Sequence, residues 1–157
     1  MTPQLGGTHR IFDTMLQFFQ EDGWKFRQLE DKPILQMGFS GSNGSWMCFA
    51  QARDEQQRFA FYSIMESRVP ENKRLAVAEY LTRANYGLMI GNFEMDFSDG
   101  EVRYKTTIDV EGGQLTPAMV KTMVYVNVLM MDKYLPGIMS VIYGGASPAN
   151  AIAQVEQ

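Results

Sequence analysis

Asn92–Val110, NFEMDFSDGEVRYKTTIDV, is the stretch whose reading decides the fold. Phe93, Met95 and Phe97 alternate with Asn92, Glu94 and Asp96. Beyond Asp99-Gly100, the residues Val102, Tyr104, Thr106 and Ile108 alternate with Arg103, Lys105, Thr107 and Asp109. Period-two alternation on both sides of an Asp-Gly step predicts an antiparallel hairpin closed by a two-residue type I′ turn. That turn sets Ser98 opposite Glu101, Phe97 opposite Val102 and Met95 opposite Tyr104. The same register brings Asp96 to Arg103 and Glu94 to Lys105 on the other face. Each such pair contributes about 0.2–1 kcal/mol, and a slip of one residue would turn every side chain to the wrong side.

Upstream of the hairpin, Thr8 is the expected N-cap of a first helix carrying Ile11, Phe12, Met15, Leu16, Phe18 and Phe19 on one broad face, with Gly23 as its stop. Three or four strands follow. Trp24 to Leu29 reads as a short edge strand, and Ile34 to Ser40 places Leu35, Met37 and Phe39 on one face. Ser45 to Ala52 places Trp46 and Cys48 on one side and Met47 and Phe49 on the other. In Arg58 to Met65, Phe59 and Phe61 alternate with Ala60, Tyr62 and Ile64. Bulky groups on both sides predict a meander whose central strands are covered on both faces. Pro70 opens a second helix, Glu71 to Tyr86, with Val77, Ala78, Leu81 and Ala84 on a narrow stripe and Gly87 at its end.

Downstream, Thr116-Pro117 starts a third helix. Its apolar stripe is Met119, Val120, Met123, Val124, Met130, Met131, Tyr134, Leu135 and Ile138, and Lys121, Thr122, Tyr125, Asp132 and Lys133 lie opposite. Pro136 is expected to kink or end it, because its ring removes the hydrogen bond back to Asp132. One domain is expected over residues 8–145, with flexible termini at 1–7 and 146–157. Helices and strands segregate, in the order α-β-β-β(-β)-α-β-β-α, which is an α+β protein with an antiparallel twisted sheet and helices packed on it.

Of the 157 residues, 45% are hydrophobic and 20% charged, with a net charge of −4. That acidic balance argues against nonspecific nucleic-acid binding. Met119 to Ile142, the most apolar stretch, is broken by Lys121, Asp132, Lys133 and Pro136-Gly137, so no membrane span is expected. The N-terminus shows no basic segment leading into an apolar run, and one cysteine cannot form an internal disulfide. A cytoplasmic protein is expected.

Catalytic chemistry is poorly supplied. His9 is the only histidine, and it has no partner nearby in sequence. Cys48, inside a strand, reads as a small buried hydrophobe, and one of each cannot make a zinc site. Glu94, Asp96, Asp99, Glu101, Asp109 and Glu111 read as a solvated strand face rather than a cation site. The Gly41-Ser42-Asn43-Gly44-Ser45 loop has backbone N–H groups that could cradle an anion. It lacks the lysine of a P-loop and reads as an ordinary hairpin connection. No catalytic residue, cofactor or metal is expected.

Glu79 to Gly113, EYLTRANYGLMIGNFEMDFSDGEVRYKTTIDVEGG, together with the order of elements, resembles the bacterial YbjN-like family of sensory transduction regulators. The likeness lies in a helix ending at Asn85, the Gly91-Asn92-Phe93-Glu94 strand, the acidic-Gly turn, a second alternating strand and a third helix. In layout it spans residues 10–143. It implies a fold like that of type III secretion chaperones, often paired as dimers, and a binding or regulatory protein rather than an enzyme. The twelve methionines add to this, since Met119, Met123, Met130, Met131 and Met139 all fall in the third helix and methionine adapts to varied partners. The expected function is a nonenzymatic, chaperone-like regulator that binds another protein, acting as a homodimer. Its expected partner or dimer surface is Tyr125, Leu129, Met130, Asp132, Lys133 and Met139. Asn127, on the apolar stripe, needs a hydrogen-bond partner if buried. The alternative is a small-molecule sensor with an aromatic pocket built from Trp46, Phe61 and Tyr104 between helix and sheet.

Overall fold

The structure is a computed structural model that describes residues 10–157. Its elements run α1 (Arg10–Glu21), β1 (Phe26–Gln28), β2 (Ile34–Ser40), β3 (Ser45–Arg53), β4 (Arg58–Ile64), a 3-10 turn (Glu71–Lys73), α2 (Arg74–Asn85), β5 (Asn92–Met95), β6 (Val102–Asp109), α3 (Pro117–Tyr143) and α4 (Pro148–Val155). The strands form one antiparallel sheet in the order β1-β2-β3-β4-β6-β5. This is the expected α+β arrangement.

Thr8 and His9 lie outside the described residues. Among the described residues, Asp54 from the β3–β4 turn meets the N–H groups of Ile11 and Phe12 in the first turn of α1: Ile11 donates to Oδ1 at 2.7 Å and Phe12 to Oδ2 at 3.3 Å. Ile11, Met15, Phe18 and Phe19 are buried, and Gly23 ends the run at φ +79°. On α2 the buried residues are Val77, Tyr80, Leu81 and Ala84, so Tyr80 takes the place expected for Ala78.

The hairpin register differs from expectation by two residues. Met95 lies opposite Val102, Glu94 opposite Arg103 and Phe93 opposite Tyr104. A four-residue loop, Phe97 to Gly100, replaces the two-residue turn, because the carbonyl of Asp96 accepts from Gly100 N–H at 2.7 Å. The Asp96 carboxylate accepts from both the N–H and the hydroxyl of Ser98. This side-chain turn competes with the Asp-Gly turn and wins. Gly100, at φ +81°, lies against the backbone of Val69, which a Cβ would strike. A shift of two preserves the faces. Phe93, Val102 and Tyr104 are therefore buried as expected, Met95 is partly buried, and Phe97 is left exposed.

The helices cover one face of the sheet only, which corrects the expectation of a doubly covered meander. On the covered face, Leu35, Met37, Trp46, Cys48, Ala50, Phe59, Phe61, Tyr104 and Phe93 are buried, each large apolar side chain contributing about 1.5–3 kcal/mol. The second face, among the described residues, has no helix across it.

α3 does not end at Pro136 but continues to Tyr143. The Thr116 hydroxyl caps it, accepting from Met119 N–H at 3.2 Å. Met119 is more exposed than expected and Met130 only partly buried, Asn127 is buried on the stripe where it was expected, and Val128, Val141 and Ile142 join it. Residues 146–157, expected as a flexible end, contain α4, which packs on α2 and α3 with Ala151 buried.

Candidate functional site

Two surfaces stand out. The first lies along the flank where α3 meets the start of the sheet, and it includes Tyr125 and Leu129 of the residues expected to form a partner surface. Tyr125, Trp24 and Phe39 are half-buried and make a row, with ring centroids 6.1 Å and 5.9 Å apart along it. Phe39 leads on to the buried Trp46 at 5.4 Å. The Tyr125 hydroxyl donates to Asp22 Oδ2 at 2.5 Å, and Trp24 Nε1 donates to the same oxygen at 3.0 Å. The bond to Asp22 pushes the Tyr125 phenol above its ordinary pKa, with burial adding to it. One turn beyond Tyr125, Leu129 is 56% exposed.

Asp132 is consumed within the chain. Its carboxylate accepts from the N–H groups of Ser42 at 3.0 Å and Asn43 at 2.8 Å, and Asn43 Nδ2 donates to its carbonyl at 2.9 Å. The Gly41–Ser45 loop thus does hold an anion through its backbone, and that anion belongs to α3. Lys133 is exposed over the Tyr134 ring, 5.3 Å from its centroid, and Met130 and Met139 are partly buried against the core.

The second surface is the uncovered face of the sheet. In cross-strand order one row reads Arg27, Gln36, Phe49, Tyr62, Lys105, Asn92, and the next reads Gly38, Met47, Ile64, Arg103, Glu94. Phe49, Tyr62 and Ile64 are half-buried, and Met47 is 42% exposed. Arg103 lies over the Tyr62 ring at 4.6 Å and pairs with Glu94 at 2.7 Å, which Lys105 also reaches at 2.7 Å. Partial burial raises the Glu94 pKa, but the hydrogen bonds from Lys105 and Arg103 outweigh it and hold the carboxyl below its ordinary value. Glu94–Lys105 is the expected pair. The expected Asp96–Arg103 pair does not form, because the register puts Glu94 opposite Arg103 and the Asp96 carboxylate is taken by Ser98. The charges Arg53, Arg58, Arg103 and Lys105 were the available sign that this face carries no second layer, since charges are rarely buried unpaired.

The other candidate residues are structural. Burial pushes the Cys48 thiol up to about 12, against hydrogen bonds from Ser63 and Trp46. Asn127 is fully buried and donates through Nδ2 to the carbonyls of Phe61 at 2.8 Å and Tyr104 at 3.0 Å, tying α3 to β4 and β6. Trp46, Phe61 and Tyr104 are buried in the core, with Phe61 stacked on Phe19; Trp46 borders a small pocket beside Met131, Leu135 and Met139 of α3, which Phe61 and Tyr104 do not reach, so the three do not form one aromatic pocket. Among the described residues, no group of three His, Cys, Asp or Glu side chains is placed to hold a metal ion, and no helix is long and apolar enough to cross a membrane.

Among solved structures, the chain is similar to YbjN from E. coli, called in its description "a putative transcription regulator". The two share 16% identity with a TM-score of 0.57, over 89% of this chain and 91% of that one. It also shows a weaker likeness to the ExsC–ExsE complex, at 14% identity and a TM-score of 0.49 over 77% and 87%. No curated protein matches the sequence significantly. A family model described as "putative bacterial sensory transduction regulator" matches residues 12–140, and the chain belongs to this family, YbjN.

Proposed function

We propose that this protein is a nonenzymatic regulator of the cytoplasm that acts by binding protein, and that it pairs as a homodimer. The observation that carries the reading is the half-exposed row Tyr125–Trp24–Phe39 with Leu129 protruding beside it. Tyrosine and tryptophan supply rigid contact area with a polar handle, and such residues concentrate binding energy at protein interfaces. Lys133 and Met139 continue the surface along α3, with Met130 and Asp132 behind it. The family description supports a regulatory role. E. coli YbjN is described as a transcription regulator; here a net charge of −4 favours regulation through protein contacts over direct DNA binding.

Light scattering tests the pairing. The expected mass is twice the 17.8 kDa of one chain, and Leu129→Glu should give the single-chain mass with the fold retained. A wild-type protein that stays monomeric at tens of micromolar and recovers no partner by affinity capture would overturn the proposal.

A further inference from the structure

The uncovered face of the sheet lies apart from the aromatic flank and carries a charge pattern of its own. Its strand residues include five cations, Arg27, Arg53, Arg58, Arg103 and Lys105, against two anions, Glu94 and Asp109. The face is therefore +3 in a chain whose net charge is −4, so all other residues together carry −7. Arg53 and Arg58 sit directly opposite each other, an arrangement that is unfavourable between neighbouring strands. Arg58 is met by Asp109 at 2.8 Å, and Glu94 is shared between Arg103 and Lys105. Arg27 and Arg53 are exposed and have no ion-pair partner among the described residues.

Between these cations lies the apolar centre, Met47, Phe49, Tyr62 and Ile64. Gly38, without a side chain, leaves a notch beside the Met47 sulfur. At the loop end the groove is rimmed by Glu66, Arg68 and Glu101, and Arg68 is engaged by Asp99. The excess positive charge therefore sits on the strands themselves, flanking the apolar centre on both sides.

We infer that this face is the docking site for an acidic amphipathic segment of a partner protein, with aliphatic side chains seated on Met47, Phe49, Tyr62 and Ile64 and carboxylates meeting Arg27, Arg53, Arg103 and Lys105. Four strands at about 4.8 Å spacing give a width of about 15–20 Å, which a helix of about 10–13 residues spans. Aromatic side chains on a basic sheet face can also stack nucleic-acid bases. One observation favours protein: the Arg103 guanidinium already occupies one face of the Tyr62 ring, which leaves Phe49 as the one open aromatic beside Met47 and Ile64.

Selection from a random helical 16-residue display library against the full chain tests this. Enriched peptides should carry net negative charge and aliphatic residues at i, i+3, i+4. A fluorescent copy should bind Arg27→Glu/Arg53→Glu protein at least about tenfold more weakly, with a flattened salt dependence. Both substituted residues are exposed, and circular dichroism checks the fold. Neutral or basic winners, no enrichment, or binding indifferent to the double reversal and to Met47→Asp would each overturn the inference. So would an oligothymidine that binds wild type and is lost in Phe49→Ala/Tyr62→Ala. Leu129→Glu should leave peptide binding unchanged, so failure here and failure of the homodimer are read separately.

Discussion

Asn43 holds the carbonyl that Pro136 leaves without a helical partner. Asp132 would accept from residue 136 in an uninterrupted helix, but proline has no N–H to give. Asn43 Nδ2 donates to that oxygen at 2.9 Å, while the Asp132 carboxylate takes the N–H groups of Ser42 and Asn43 in return. The β2–β3 loop thus replaces one helical hydrogen bond from outside the helix. This is why α3 passes Pro136 instead of stopping there.

The exchange predicts a coupled pair of effects. Asn43→Ala should lower unfolding stability by about 1 kcal/mol. In a Pro136→Ala background, where the new N–H reaches Asp132 itself, the same substitution should cost clearly less. Urea unfolding followed by circular dichroism gives the four stabilities of the cycle, and additive losses would show that Asn43 and Pro136 act independently.

The gains and failures of the sequence reading share this physical form. Period-two alternation marks which face of β5 and β6 is buried, and the structure keeps those faces. Alternation says nothing of which loop closes the hairpin, and there the Asp96 side chain, with Val69 packed on Gly100, outweighs the Asp-Gly signal. Of the two outcomes expected at Pro136, a kink or an end, local sequence could not exclude the end, because the compensation comes from Asn43, 89 positions away in the chain. α4 was legible: Ser147-Pro148 repeats the cap-then-proline signal of Thr116-Pro117, and the Ser147 hydroxyl accepts from Asn150 N–H at 3.1 Å. The uncovered sheet face was legible in part, since Arg53 and Arg58 stand at positions where a second layer would have to bury them.

Gly137 reverses the usual helix preference. An alanine in a helix interior is normally better than glycine by about 0.5–1 kcal/mol. Here a Cβ would run into the Tyr80 hydroxyl, which donates to the Tyr134 carbonyl at 2.9 Å. Gly137→Ala should therefore destabilise by about 1–3 kcal/mol. Tyr80→Phe alone should cost about 1 kcal/mol. It removes only the oxygen, and the Tyr80 ring carbons that a Cβ would also meet remain, so the double variant should lose about the sum of the two single losses. A melt in which Gly137→Ala rises in Tm would contradict this geometry.

Cys48 gives a pH dependence that one substitution can isolate. Burial raises the folded thiol to about 12, whereas an unfolded cysteine ionises near about 8.5. Below the unfolded value the contribution is fully present. Above it the unfolded chain gains charge that the folded chain refuses, so stability falls as pH rises toward the folded value. Between pH 8 and 9.5 the loss should be about 1 kcal/mol, and Cys48→Ala, though less stable overall, should lack that component. Urea unfolding at stepped pH checks it, with thiol-reagent protection in the folded state as the companion measurement. Equal slopes in the two proteins would mean that the thiol ionises alike in both states.

α4 should be an integral part of the packed structure. Ala151 is buried, and the Tyr134 hydroxyl donates to Glu156 Oε2 at 2.7 Å across the space between α3 and α4. Burial first, and then that bond, push the Tyr134 phenol upward, so the neutral hydroxyl is the form that meets the Glu156 carboxylate. A chain ending at Gly145 uncovers the α2–α3 seam and leaves Tyr134 unpaired, and its stability should fall by about 2–4 kcal/mol. Tyr134→Phe should cost about 1.5 kcal/mol, at the lower end of the range for a bond to a charged acceptor. Ala151→Glu should approach the truncation, because it drives a charge into the same seam. Thermal melts of the three proteins rank these effects, and a truncated chain melting with wild type would mean that α4 contributes nothing to the fold it touches.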